Sequence, residues 1–260
     1  MLKRLIILFI WFVLLANFAY AKDKTDTIYQ ISTINALLES VYDTDIDFKE
    51  IKKHGNLGLG TLNGLNGELI GLDGKFYTAN IDGKIYPVTD NDKTPFTVVT
   101  FFKPDKKLEI NDSLNYSDLK KYIDSELPTN NIFYAFKING SFKKMKVRSI
   151  PEQKKPYPPL VDVVKHQKVF ELSDVKGTIV GFKCPEYAKE INVADYHFHF
   201  LSDDKKSGGH ILDFELDKVN AEIDYIYNID LVLPQSEDFY NVNLYKQQNK
   251  ALHQVETESK

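Results

Sequence analysis

The sequence predicts a mixed α+β fold with two β-sheet-rich halves, few helices and a metal site between the halves. Short apolar runs separated by glycine-containing turns occupy most of the chain. Helical spacing of apolar residues is confined to a few short segments. The tripeptides at 60–62 (Gly-Thr-Leu) and 177–179 (Gly-Thr-Ile) each open a predicted strand, which fits two related halves but is too short to prove a duplication.

Composition restricts the class of protein. A chain of 260 residues can bury a sizeable core, as one large domain or two closely packed ones. The contents of 43% hydrophobic and 13% aromatic residues exclude a disordered chain. The net charge is −4 and the basic residues are scattered, so the sequence predicts no nucleic-acid partner. Cys184 is the only cysteine, which rules out an internal disulfide and indicates a buried or incidental thiol.

Residues 1–21 have the pattern of a signal peptide. Lys3 and Arg4 precede an apolar run from Leu5 to Leu15, and a small-x-small cleavage site ends at Ala21. The apolar run is short for a membrane span, although an uncleaved anchor is the alternative. We therefore expect a mature protein that starts at Lys22, is secreted or periplasmic, and does not associate with the membrane after cleavage.

The first half, residues 22–155, is predicted to be rich in β-structure. Glycine-containing turns alternate here with short apolar segments, a pattern that predicts a β-meander and further hairpins. Helices are predicted before and after these strands. The predicted helices are 34–41 (capped by Ser32 or Thr33), 48–54 and 117–127 (capped by Ser117). The predicted strands and hairpins are the meander 57–76, a hairpin through Asp82-Gly83, the strand 96–102, and strands 132–138 and 142–150 joined around Asn139-Gly140.

The second half, residues 156–260, is predicted to carry the metal-binding hairpin and a C-terminal arm. A rigid Pro156–Pro159 segment leads into a helix from 160 to 170, and a strand follows at 177–182. Alternating apolar residues over 220–233 predict one long, half-buried strand. Residues 238–254 are polar and predict a terminal helix or arm.

Three histidines form the strongest candidate site. His197 and His199 are two residues apart, so on a strand both imidazoles project from one face. The polar stretch 202–209 ends in Gly-Gly and predicts a turn, which would return His210 to the same neighbourhood. Three neutral imidazoles with an open fourth position are typical of catalytic zinc. A cupin also begins with His-x-His, but it requires a glutamate where this chain has 201–204 (Leu-Ser-Asp-Asp).

Several separated motifs resemble one known family. The segment 192–204, followed by Gly208-Gly209-His210, resembles the zinc-binding signature of the α-acetolactate decarboxylase family. Segment 67–74 resembles the family's Gly-Glu motif, and Arg148 precedes a Tyr-Pro-Pro-Leu motif at 157–160 as in the family. Val255-Glu256 resembles the family's C-terminal Val-Glu. Asp195 stands where the family often has glycine, so the start of the hairpin is expected to differ slightly.

The resemblance implies roles for these residues. His197, His199 and His210 would bind Zn²⁺, whereas Glu68, Arg148 and Glu256 would be catalytic. By alternation alone Glu68 would face solvent, and by composition alone Glu256 would belong to a charged tail; the neighbouring Lys144 and Lys146 are expected on a solvated face.

The implied activity is zinc-dependent decarboxylation of 2-acetolactate to acetoin and CO2 through a metal-stabilised enediolate. The resemblance further implies a small anionic substrate and a homodimer, and the sequence contains no fingerprint for pyridoxal, thiamine or nicotinamide. Two alternatives stay open from the residues themselves. One is a non-catalytic secreted zinc-binding protein, and the other is a different three-histidine zinc lyase or hydrolase.

Overall fold

The computed structural model describes residues 25–245 and 248–257. Most of the described structure consists of a seven-stranded and a five-stranded sheet, and short helices lie around them. The predicted α+β class is therefore confirmed. The predicted signal peptide and its cleavage site at Ala21 lie outside the described residues. Within the described part of the chain, no helix is both long and apolar enough to cross a membrane.

The first sheet is antiparallel except at one edge. Its strand order is β12-β1-β6-β2-β3-β4-β5, and only the pairing of β1 with β12 is parallel. The strands are β1 (Thr27–Ile31), β2 (Leu57–Thr61), β3 (Glu68–Leu72), β4 (Lys75–Ala79), β5 (Ile85–Pro87), β6 (Phe96–Thr100) and β12 (Asn228–Val232).

The second sheet has the order β10-β9-β8-β11-β7, with an additional pairing of β10 and β11. Its strands are β7 (Lys106–Ile110), β8 (Phe133–Ser149), β9 (Lys168–Cys184), β10 (Asp195–Ser202) and β11 (Gly208–Ile226). Because β8 and β10 each pair with both β9 and β11, these four strands form a closed circuit. An aromatic core that includes Phe136, Phe142, Phe198 and Phe214 packs against this circuit.

Short helices surround the sheets. They are α1 (Ile34–Leu38), α2 (Phe48–Ile51), α3 (Tyr116–Glu126), α4 (Leu160–Val163), α5 (Glu237–Asn241) and α6 (Asn249–Glu256). Thr33, one of the two predicted caps, caps α1 because its side chain accepts a hydrogen bond from the Ala36 N–H. Asn115, not the predicted Ser117, caps α3, because its side chain accepts from the Asp118 N–H.

The core between the two sheets contains residues of both sheets and three of the helices. Ile70 and Val98 of the first sheet share this core with Val180 and Phe182 of the second. The opposite face of the first sheet packs a separate cluster that includes Leu69, so Glu68 and Ile70 face the second sheet. Strands β7 and β8 precede residue 155 yet belong to the second sheet, while β12 follows it and belongs to the first. The division at 155/156 therefore does not coincide with the division into sheets, and it stays a prediction about domains.

The predicted hairpin around Asn139-Gly140 is wrong. Both residues lie in the middle of the 17-residue strand β8, where Gly140 pairs with Gly177 on one side and Val219 on the other. A Cβ atom on Gly140 would lie 2.1 Å from the Lys218 carbonyl oxygen. The glycine thus serves close packing of strands, although Asn-Gly is also the commonest hairpin dipeptide.

Two further predicted elements end early. The predicted strand over 220–233 is two strands, because β11 ends at Ile226 and β12 pairs in the other sheet. The predicted helix from 160 to 170 stops at a 3-10 turn over Val164–His166, and Phe170 is already in β9. Alternation and helical spacing both continued across these boundaries, so the periodicity alone could not show the breaks.

Candidate metal centre and active site

The two faces of β10 have opposite chemistry. Tyr196, Phe198 and Phe200 belong to the aromatic core, whereas His197 and His199 point to the cavity between the sheets. Asp195 starts the strand with φ of 66°, in the left-handed region that favours glycine. Aspartate tolerates this conformation better than most residues, and its side chain pairs with Lys120. The expected departure at this position is therefore accommodated locally.

Strand register brings the three histidines together. His199 is the direct partner of His210 across β10 and β11, and the ring centroids of the three imidazoles are 5.1–5.3 Å apart. One ring nitrogen from each lies within 4.8 Å of the others. All three residues are buried, with exposed fractions of 8% or less. The sequence prediction that they converge is confirmed.

Gly209 allows the close approach of β11 to β8. Its φ is +146°, and a Cβ atom there would lie 2.4 Å from the Arg148 carbonyl oxygen. Because His210 follows directly, this glycine lets His210 pair with Arg148 across the two strands. The imidazole and the guanidinium consequently lie side by side on the cavity face.

The first sheet orients one of the imidazoles. The Nδ1 atom of His199 lies 2.7 Å from the carbonyl oxygen of Leu69, to which it donates its hydrogen. The lone pair is then on Nε2, which is buried and has no hydrogen-bond partner among the described residues. A backbone carbonyl that fixes the tautomer in this way is usual behind a metal-binding histidine.

Glu68 faces the cavity from the opposite sheet. Its Oε2 is 3.7 Å from His199 Nε2, and the residue is 5% exposed. The expectation from alternation alone, that it faces solvent, is wrong because the second sheet covers this face. Burial raises the pKa of Glu68 to about 7, and the nearby charge of Glu256 adds to the rise while Arg148 opposes it.

Arg148 is a buried cation with free donors. It is 3% exposed, and within the described structure its Nε and Nη1 have no hydrogen-bond partner. A buried guanidinium requires a negative partner, and its planar fork suits a carboxylate or an oxyanion. Lys144 on the same strand is exposed, as expected.

The C-terminal helix α6 brings Glu256 to the same cavity. Its Oε2 lies 3.7 Å from His210 Nε2 and 3.8 Å from His197 Nε2. Leu252 and Val255 of α6 are buried in the core between the sheets and hold the helix in place. Burial raises the pKa of Glu256 to about 7, against the opposing effect of Arg148. The suspected charged tail is therefore a docked helix.

The residues present fit a zinc ion. Burial, followed by the charge of Arg148, lowers the pKa of His197 to about 3, and burial lowers those of His199 and His210 well below the ordinary value. The imidazoles are thus neutral at pH 7, as ligands must be. Within the described residues, one buried nitrogen on each of His197 and His199 has no hydrogen-bond partner, and a bound cation could satisfy such atoms. Imidazole nitrogens bind several divalent metals, and zinc is one of them.

The cavity has a polar and an apolar side. It is a small cavity that lies between the two sheets. All six residues singled out from the sequence line it. The sequence prediction missed the apolar wall, which includes Ile34 and Leu37 of α1 and Leu160 of α4. Their helical spacing indicated only burial, and nothing in the sequence indicated which buried side chains face the cavity.

The fold and the site together define a class, namely α+β proteins with a buried three-histidine centre flanked by two carboxyls and an arginine. A family model described as alpha-acetolactate decarboxylase matches residues 28–246. The chain is 44% identical over 236 residues to the alpha-acetolactate decarboxylase of Methanosarcina mazei, which covers 91% of this chain and 82% of that protein. It is 46% identical over 217 residues to the alpha-acetolactate decarboxylase of Bacillus subtilis. That alignment covers 84% of this chain and 85% of the Bacillus subtilis protein.

A solved structure agrees. The crystal structure of alpha-acetolactate decarboxylase from Bacillus subtilis strain 168 matches with a TM-score of 0.88 and 44% identity, over 89% of this chain and 100% of that chain. The chain belongs to the alpha-acetolactate decarboxylase family. The predicted membership and enzymatic class are confirmed. Glu256 lies beyond the residues that the family model matches, so its assignment rests on the position of α6.

Proposed function

We propose that this chain decarboxylates 2-acetolactate to acetoin and CO2 in a zinc-dependent reaction that passes through an enediolate. The observation that supports this most strongly is the juxtaposition of three neutral, buried imidazoles with the buried guanidinium of Arg148, whose Nε and Nη1 have no hydrogen-bond partner in the described structure. A buried arginine beside a metal-type centre indicates a substrate that carries a negative charge.

The chemistry requires a place for an electron pair. When the bond from C2 to the carboxylate breaks, its electrons form the C2–C3 double bond and the C3 ketone becomes an oxyanion. The contribution of zinc, held by His197, His199 and His210, would be Lewis-acid stabilisation of that charge. Arg148 donates hydrogen bonds to the departing carboxylate or to the oxyanion, next to the buried core between the sheets.

The reaction ends with a proton on C2. Burial raises the pKa of both Glu68 and Glu256, which favours the protonated acid at each position. A carboxyl whose pKa is raised in this way is a suitable proton donor. Both carboxyls border the cavity, Glu68 from the first sheet and Glu256 from α6, so either can deliver the proton from its own side.

The test is the formation of acetoin and CO2 from racemic acetolactate, with the zinc content of the purified protein measured in parallel. We expect activity that a chelator removes and zinc restores, and that the substitution His199→Ala abolishes. A folded, zinc-loaded protein that forms no acetoin above the spontaneous rate would contradict the proposal. That outcome would favour a non-catalytic zinc-binding protein or another zinc lyase or hydrolase.

We also propose that residues 1–21 direct export and that the mature chain forms a homodimer. The basic and apolar pattern of residues 1–21 supports the first proposal. Mass spectrometry of protein recovered from the medium or periplasm should find Lys22 at the N-terminus, and an intact Met1 would contradict cleavage. Light scattering of the same sample should give twice the chain mass, whereas the mass of a single chain would contradict the dimer.

A further inference from the structure

The catalytic cavity presents two chemically distinct surfaces to its ligand. One surface carries the three histidines, Arg148 and the two glutamates. The other surface is formed by hydrocarbon side chains, among them Ile34 and Leu37 from α1 and Leu160 from α4. These three side chains are 2%, 7% and 3% exposed and belong to the core between the sheets.

This division determines how an acyloin acid can lie in the cavity. 2-Acetolactate has three polar groups, a carboxylate, a ketone and a hydroxyl, and two methyl groups. A polar group turned toward the hydrocarbon wall would lose its hydrogen bonds to water without replacement. The polar groups must therefore face the histidines and Arg148, which leaves the alkyl groups against the wall.

Helix α1 presents one face to this cavity. Ile34 and Leu37 are three residues apart, so they lie on the same side of the helix, and both line the cavity. Leu38 is also buried and of the same type, but it is rotated away and does not line the cavity. The helix is anchored at its start, because the Ile34 N–H donates to the Ile191 carbonyl and Thr33 caps the first turn.

We propose that Leu37 is a specificity-determining residue that limits the size of the alkyl group accepted on the substrate. This inference rests on the proposed function, since it concerns the substrate of that same site. The wall cannot recede to admit a longer chain, because every residue of α1 is buried and packed. An extra methylene on the substrate therefore meets the Leu37 side chain, and shortening that side chain makes room for it.

The experiment compares kcat/KM for 2-acetolactate with that for two homologues that are one methylene longer. One homologue carries ethyl in place of methyl on C2, and the other is the ethyl ketone. Leu37→Ala should raise the ratio of homologue to acetolactate by about tenfold for at least one of them, the scale on which a pocket discriminates one methylene. Alanine retains helix propensity, so α1 should persist.

Leu38→Ala is the matched control, since it removes the same atoms from the same helix and core. It should lower thermal stability to a similar extent and leave the specificity ratio within about twofold. Leu37→Val is a milder variant that should move the ratio in the same direction if Leu37→Ala fails to fold.

The possible failures can be told apart. This inference would be overturned by an unchanged specificity ratio in the Leu37 variants, or by an equal change of that ratio in the Leu38 control. If the wild-type protein forms acetoin in the same experiment, the proposed function still stands. A folded, metal-loaded wild-type protein that turns over none of the three acids would overturn both.

Discussion

The strands and the terminal helix hold their site residues in different ways. His199, His210 and Arg148 lie in register on three neighbouring strands, and their backbones are tied into pairs on both sides. Glu256 is on the last turn of the eight-residue α6, which two buried side chains attach to the core. Its side chain is 17% exposed, compared with 1% for His199 and 6% for Glu68.

This contrast suggests a division of labour. A metal ion requires ligands held to fractions of an ångström, and paired strands provide such precision. A group that transfers a proton needs correct placement too, but it also gains from contact with solvent, from which it can be reprotonated. The sheets would therefore hold the metal ligands, Arg148 and Glu68 in fixed positions, whereas α6 would add a second carboxyl that has access to solvent. The predictions below test this division, beginning with the largest expected effect.

The largest effect on turnover is expected at Glu68, the carboxyl that the sheet holds most rigidly. Glu68→Gln keeps the shape of the side chain but removes the proton that it can transfer. We expect kcat to fall by about 10²- to 10⁴-fold, the usual contribution of a general acid or base. Steady-state kinetics with metal content measured in parallel checks this prediction. Unchanged turnover in a metal-loaded variant would remove Glu68 from the chemistry.

Arg148→Lys tests whether the fork of donors matters beyond the charge. Lysine keeps the positive charge but loses the paired geometry. We expect kcat/KM to fall by about tenfold to a hundredfold, which corresponds to about 1.5–3 kcal/mol for a hydrogen bond to a charged group. Lys144→Met, at an exposed position of the same strand, is the control and should have little effect. An unchanged kcat/KM in Arg148→Lys would indicate that only the charge of Arg148 matters, and not the geometry of its donors.

Leu252→Ala tests the attachment of α6. This buried side chain fixes the helix against the core, so its truncation should displace Glu256 slightly without touching the sheet. We expect kcat to fall by about tenfold or less, because a small misplacement weakens catalysis while the group itself remains. Zinc affinity should not change. The exposed neighbour Gln254, replaced by alanine, is the control, and loss of zinc from the Leu252 variant would contradict the proposed division.

The smallest effect on activity is expected at Asp224, a carboxyl far along the strand of His210, whose influence is on stability instead. Burial, and then the neighbouring Asp105 and Asp26, raise the pKa of Asp224 from 3.8 to about 7. The folded protein therefore binds more protons than the unfolded chain between these two pH values, and its free energy of unfolding falls as the pH rises through them. The loss is at most about 4 kcal/mol.

Asp224→Asn should flatten this part of the profile of stability against pH, measured by denaturant unfolding at several pH values. Asp217→Asn, at an exposed position of the same strand, is the control. If the Asp224 variant keeps the wild-type slope, another group is responsible for the pH dependence. Activity at a fixed pH should be similar in both variants, because neither side chain lines the catalytic cavity.

Much of the site could be predicted because strand periodicity and motif order constrain it. The spacing of His197 and His199 already placed both on one face of β10, and the Gly-Gly turn returned His210 to them. The burial of Glu68 could not be predicted from alternation, since a face that alternates can be covered by solvent or by another sheet. The family resemblance supplied that information instead.

The errors in the fold have a common physical origin. Asn139-Gly140 and the alternating stretch 220–233 were assigned from local patterns, but neighbours distant in sequence decide both. Gly140 is accommodated between Gly177 and Val219, and β12 leaves the second sheet to pair with β1. Local propensity does not contain these contacts. The same holds for Leu37 and Leu38. They are the same residue type at adjacent positions, but only Leu37 lines the cavity.

The central claim is that three strand-held histidines are sufficient to retain zinc. The most direct measurement is the zinc content, by mass spectrometry of metals, of wild type, Glu256→Gln and His199→Ala purified side by side. We predict about one zinc ion per chain in the first two and almost none in the third. Zinc retained in full by His199→Ala, or lost from Glu256→Gln, would contradict this account of the centre.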